Sequence, residues 1–235
     1  MIDYPWTKQY EEMYNRPRGS FDDDWGICDY YKDIAKDKDF KVVKSCFVEV
    51  ACTPEYALAE ARWIHKEADP NFMNIVVQIP VPFGRQAVID FLNEFRNKKT
   101  GKLPKNLKGG RIMWIDETMD LSSTEGYQYG LEVMAEENLI WHMTGTPNFL
   151  PSIIKCVKKN PNNRFMIDHL CMEQGGEVYE SWKKDITALA QCPNVFVNLG
   201  GCEIWDLVSS EPHQFLVYAL EVLGYDRCCI GSNWY

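Results

Sequence analysis

The sequence has no Cys-x-x-Cys pair, no glycine-rich phosphate loop after its early strand-like runs, and no apolar stretch near the ~20 residues that a bilayer-spanning helix needs. It also lacks an excess of basic charge, its formal net charge being −9. Each absence removes a class. Without the phosphate loop, nucleotide binding loses its usual sequence support. Without a long apolar run, or an apolar leader at Met1-Ile-Asp-Tyr-Pro-Trp6, no membrane partner is expected. An acidic chain is a poor match for nucleic acid, whose binders present a basic face. The one basic cluster, Asn97-Lys-Lys-Thr-Gly-Lys-Leu-Pro-Lys105 with Lys108, lies in a Gly/Pro-containing connection and reads as a solvated loop. Nine cysteines form an odd set. Cys46, Cys156 and Cys228 fall inside apolar runs, where a free thiol behaves as a small hydrophobe. A reducing, cytoplasmic compartment is therefore expected.

What is present is a repeat of strand and helix. At 235 residues and 46% hydrophobic, the chain can bury one large core, and a single domain over 1–235 with an irregular segment 1–40 is expected. Strand-like runs occur at Val42–Val50, Asn74–Val81, Arg111–Ile115, Leu139–Met143, Arg164–His169, Val195–Leu199 and Arg227–Ile230. Helical patterns separate them. Thr53-Pro-Glu opens one with a cap-like threonine and a first-turn proline, followed by Ala57, Ala61, Ile64 and Ala68 at helical spacing. Others cover Gln86–Phe95, Tyr127–Glu136, Pro151–Lys159, Tyr179–Ala190 and Pro212–Leu223, with an N-terminal helix over Asp29–Lys36. Single helices between strands return the chain each time, which forces parallel pairing. Seven strands are visible, one short of an eight-stranded (β/α) barrel.

In such a fold the C-terminal ends of the strands build the site. Arg164-Phe-Met-Ile-Asp-His-Leu170 is the most informative run, because an apolar strand stops abruptly in Asp168 and His169. Cys228-Cys-Ile-Gly-Ser-Asn-Trp234 ends similarly, in Ser232 and Asn233. His142 lies near another strand end, so two of the four histidines fall at such positions. Arg111 opens the third run. His65 and His213 sit in or at the start of helices and are expected at the surface. Trp114, Trp141 and Trp234 are candidates for the mouth, although tryptophans beside strands more often belong to a core. Gly200-Gly201 reads as a tight turn.

Taken in order, Phe47-Val-Glu-Val-Ala51, Ala57-Leu-Ala-Glu-Ala-Arg-Trp63, Gly109-Gly-Arg-Ile112, Phe165-Met-Ile-Asp-His-Leu170, Pro193-Asn-Val-Phe-Val-Asn-Leu-Gly-Gly201 and Ile230-Gly-Ser-Asn-Trp234 resemble the amidohydrolase-related (amidohydrolase 2) family. The nearest branch is that of fuconolactonase-like and pyrone-dicarboxylate-lactonase-like enzymes. The resemblance implies a TIM (β/α)8 barrel of the metal-dependent hydrolase superfamily, a small-molecule substrate and a divalent metal such as zinc. Members carry His-x-His on the first strand, a histidine on the sixth and an aspartate on the eighth. His169 matches the sixth-strand histidine and is the candidate metal ligand and catalytic residue. Arg111 matches a fourth-strand basic residue, His142 falls on the fifth strand, and Glu49 ends the second. These three, with Trp234, are candidate substrate-binding residues.

The departures are as specific as the matches. No His-x-His occurs, and Tyr4-Pro5-Trp6 resembles the segment that normally comes just after that motif, so the first strand and the last helix are expected to be missing from an incomplete barrel with two open sheet edges. Asn233 stands where the family has its catalytic aspartate, and an amide cannot take a proton from water as a carboxylate does. The implied function is hydrolysis of a lactone or related carboxylic ester of a small acidic or sugar-derived substrate, with an incomplete catalytic set. The alternative is a non-catalytic homologue that binds or scaffolds. A homo-oligomer is compatible with either.

Overall fold

The computed structural model describes residues 2–13, 15, 17, 19, 25–36, 38–113, 115–172, 179–201 and 212–234. The acidic run Asp22-Asp23-Asp24, Trp114, Tyr235 and the side chain of His213 lie outside the described residues. Seven strands form one parallel sheet in sequence order: β1 Ser45–Val48, β2 Met73–Val77, β3 Leu107–Arg111, β4 Ile140–Met143, β5 Arg164–Ile167, β6 Val195–Asn198 and β7 Cys228–Cys229. The sheet curls into an incomplete (β/α)8 barrel with helices around it. Between the strands lie α3 Ala57–Glu67, α4 Arg85–Asn93, α5 Glu125–Glu136, α6 Leu150–Lys159, α7 Tyr179–Ala190 and α8 Pro212–Leu223. β1 and β7 are the two edges.

Alternation along the strands divides the core into two sides. Trp141, Met143, Phe165, Ile167, Val195 and Val197 are fully buried, at alternate positions on three adjacent strands. His142, Asp168 and Asn198 have the opposite parity, which period-2 geometry turns to the other face. Buried aromatic rings also carry their polar atoms to partners. Trp141 Nε1 donates to Tyr127 Oη at 2.6 Å, and Trp182 Nε1 donates to the Leu170 carbonyl at 2.8 Å. Trp141 is thus a core residue facing α5. The eight described cysteines are free thiols, and no helix of the described residues is long and apolar enough to cross a membrane.

The described residues of the N-terminal segment include two helices. Helix α1, Trp6–Met13, begins after Pro5, with Thr7 N and Oγ1 both donating to the Tyr4 carbonyl. It docks beside the end of β1, where Trp6 Nε1 donates to the Val50 carbonyl at 2.7 Å and Thr53 N to the Asp3 carbonyl at 3.1 Å. Helix α2, Ile27–Ile34, starts two residues earlier than its pattern predicts, because Gly26 N donates to the Asp29 carboxylate and caps it. It joins the two ends of the sheet. Tyr31 packs edge-on to Phe72 just before β2, while Tyr30 and Asp33 meet Trp234 beyond β7.

One strand differs from expectation. β3 runs through Leu107–Arg111, so Arg111 ends a strand that it was expected to open. The reason is steric. An added Cβ at Gly109 would lie 2.3 Å from the Ile140 carbonyl oxygen, and one at Gly110 would lie 2.8 Å from Ile79. Glycine is normally depleted in strands, but here neighbouring chains approach too closely for a side chain. We predict that Gly109→Ala lowers unfolding free energy in urea by about 3 kcal/mol through overpacking of the β3–β4 pair.

Candidate active site

Four ionisable side chains converge inside the curled sheet: Glu49, Arg111, His142 and Asp168, all nearly inaccessible to solvent. Register brings them there. Arg111 at the end of β3 pairs directly with His142 on β4, and His142 pairs with Met166, two residues before Asp168. Arg111 Nε donates to Glu49 Oε1 at 2.7 Å, its Nη1 to Asp168 Oδ2 at 2.9 Å, and its Nη2 to the Glu49 carbonyl. Glu49 Oε2 also accepts from Ala51 N at 2.7 Å. This last bond accompanies a left-handed backbone at Ala51, φ 58°.

Asp168 is the hub. His142 Nδ1 lies 3.1 and 3.2 Å from its two oxygens, and Asn198 Nδ2 donates to Oδ1 at 3.4 Å. Burial alone would raise the Asp168 carboxyl. The charge and hydrogen bond of His142, then Arg111 and His169, outweigh it and hold the group well below the usual carboxylate range. An ionised carboxylate only accepts, so the His142 Nδ1 that faces it is the donor of that bond. Burial likewise opposes the Arg111 charge, and Glu49 and Asp168 more than compensate. Three of its five N–H groups are committed to these two residues.

His169 is held differently. His169, Leu170 and Cys171 all adopt left-handed backbones, with φ of 54°, 56° and 45°. Three consecutive non-glycine residues there are costly, and such strain concentrates at functional sites. Trp182 anchors the turn through the Leu170 carbonyl. The imidazole lies against Gly201, where an added Cβ would stand 2.7 Å from Nδ1. That Nδ1 is buried and has no hydrogen-bond partner among the described residues. Gly201 thus supplies both a positive φ, 91°, and the space for the ring. By contrast, Asn233 is exposed and left-handed, φ 46°. Trp234 is half-buried, with Nε1 donating to Asp33 at 3.1 Å and its ring beside Trp25 and Tyr30. Neither is among the hydrogen-bond partners of the buried quartet. His65 is exposed, as expected of a helix surface.

Two polar features went unread in the sequence. Asn198 closes an apolar strand just as Asp168 does, and that shared pattern could have revealed it. Glu60 sits with Ala57, Ala61 and Ile64 on the buried stripe of α3, an acid where the pattern calls for an apolar residue. Tyr4 Oη donates to its Oε1 at 3.1 Å, and the Val50 backbone and the Cys52 thiol also face its carboxylate. Burial and then the Glu49 charge push its carboxyl up to about 7.

A half-barrel whose buried ionisable residues gather at strand C-termini defines the protein as an incomplete (β/α)8-barrel with its candidate site at the usual face. Residues 105–235 match the Amidohydro_2 family, described as amidohydrolase, and the chain belongs to that family. In solved structures, an amidohydrolase 2 of Bifidobacterium longum subsp. infantis superposes with TM-score 0.70 at 21% identity, covering 99% of this chain and 78% of that one. An amidohydrolase of Burkholderia multivorans with bound zinc gives 0.76 at 16% identity, covering 99% and 79%. An L-fucono-1,5-lactonase of Burkholderia ambifaria is 26% identical over 129 residues, 52% of this chain and 41% of that enzyme.

The described residues do not fit a zinc centre. Among them no three His, Cys, Asp or Glu side chains are disposed to hold a metal ion. Both buried carboxylates of the quartet bond to a guanidinium, and a catalytic zinc takes three protein ligands. Arg111 occupies the role of the cation between them. We predict that Arg111→Ala costs about 3–5 kcal/mol in chemical unfolding, since it leaves two buried carboxylates uncompensated. Glu60 gives a second test through pH. Its folded value of about 7 exceeds the ordinary 4.5, so its contribution to stability is full below pH 4.5 and is lost as pH rises to about 7. Glu60→Gln should therefore gain stability relative to the wild type between pH 5 and 8, by at most about 3 kcal/mol, with no gain at pH 4.

Proposed function

We propose that the protein hydrolyses a lactone or related carboxylic ester of a small acidic or sugar-derived substrate. The observation that carries this reading is the His142–Asp168 pair beside the strained His169, one imidazole oriented by a buried carboxylate and another whose buried nitrogen has no partner among the described residues. His142 Nε2 takes a proton from water as the oxygen attacks the lactone carbonyl carbon. Collapse of the tetrahedral species breaks the ring C–O bond, and the same proton passes to the departing alkoxide. His169 donates to the carbonyl oxygen as charge develops there. Arg111 acts through Asp168 and Glu49, holding the base in register. Asn233 and Trp234 line the approach. The similarity to an L-fucono-1,5-lactonase supports the substrate class.

A second reading, a homologue that binds without turnover, is favoured by the amide at Asn233 and by a donor set that does not fit zinc. Proton release from a panel of sugar-derived and dicarboxylate lactones at constant pH separates the two. We expect turnover that falls at least ~100-fold in His142→Ala, and a rise in kcat/KM of about tenfold in Asn233→Asp, which restores a proton acceptor. Saturable binding of these lactones with no proton release in either the wild type or Asn233→Asp would establish the non-catalytic reading.

A further inference from the structure

The Lys-rich connection is the solvated loop that its composition suggests, with Asn97–Lys102, Lys105 and Lys108 exposed. It is folded on itself: Asn97 Oδ1 accepts from Lys99 N at 3.0 Å and Thr100 N at 3.1 Å, while Asn97 N donates to the Lys102 carbonyl at 3.0 Å. Arg96 Nη1 donates to the Gly101 carbonyl at 2.9 Å, and Gly101 turns the chain with φ 69°. The turn forms one wall of a cleft of about 610 Å³. Five cations line it, Arg96, Lys102, Lys105, Lys108 and Arg164, against one carboxylate, Glu137.

That carboxylate is already engaged, because Arg96 Nη2 pairs with it. Lys105 Nζ donates to the neutral Asn71 side chain and Arg164 Nη2 to the Asn138 carbonyl, so both keep their charge uncompensated. Between Asn97 and Ile115 there is no acidic residue, in a chain whose net charge is −9. Such a concentration of one sign opposes folding by self-repulsion unless something offsets it. The cleft lies at the N-terminal ends of β3, β4 and β5, opposite the candidate active site. Along β3 the two are separated by the rise from Leu107 to Arg111, about 13 Å.

We infer that this cleft binds a small, multiply charged anion of the di- or triphosphate class. Its volume suits a small ligand, and its cations project from a hydrogen-bonded turn and from the starts of β3 and β5, so the backbone that carries them needs little ordering on binding. The site is distinct from the hydrolytic one and does not depend on that reading.

Calorimetric titration of the full chain with sodium tripolyphosphate tests this. We expect saturable one-site binding that K102E/K108E weakens roughly tenfold or more. A control, K158E/K184E, makes the identical change in net charge at exposed positions elsewhere and should stay within about twofold. Circular dichroism checks that both variants remain folded. The inference is overturned if the wild type shows no saturable binding at millimolar probe, or if the control weakens binding as much as the cleft variant. An oligoglutamate peptide that binds more tightly than tripolyphosphate would also overturn it, assigning the cleft to an acidic protein segment instead.

Discussion

One guanidinium holds the mouth of this half-barrel together. Arg111 reaches from β3 to Glu49 beyond β1 on one side and to Asp168 beyond β5 on the other, so a single cation ties strand ends that do not pair with one another. The sheet itself cannot do this. Its seven strands end in two open edges, and hydrogen bonding between neighbours does not constrain the distance across the opening. A buried ion pair brings no guarantee of net stability, because desolvation costs rival the Coulombic gain. What it does enforce is position. Breaking it leaves buried charges unpaired, so the arrangement with all three groups satisfied is the one the chain adopts.

The proposed function depends on that constraint. Asp168, kept ionised, accepts from His142 Nδ1, and the proposed reaction uses the other nitrogen of that ring as its base. The cation that pairs with Asp168 and Glu49 also occupies oxygens that a metal would need. The family to which the chain belongs includes a zinc-bound neighbour in the same fold, yet fold alone does not carry chemistry from one member to another. The acid–base pair of the proposed reaction is drawn from the protein's own side chains.

Much of the fold was legible in the sequence because strands and helices announce themselves locally. Six of the seven strand runs fall on observed strands, since β-branched runs bounded by turns are a short-range signal. The third meets β3 only at Arg111, because Gly109 and Gly110 owe their strand conformation to Ile140 and Ile79, contacts that no local pattern encodes. The site divides in the same way. Asp168 and His169 were readable as a strand end. The bond from Arg111 to Glu49 spans 62 residues, and the burial of Glu60 was masked by a helix that looked simply apolar. Asn233 matches a motif position, but the structure leaves it exposed, with no bond to the buried quartet, because motif order does not set side-chain direction.

The most direct test of this account is a double-mutant cycle between Glu49→Gln and Arg111→Met, read by urea unfolding at pH 7. A coupling energy of at least about 2 kcal/mol is predicted, because each partner is desolvated and depends on the other. A coupling under about 0.5 kcal/mol, the range of independent sites, would contradict it.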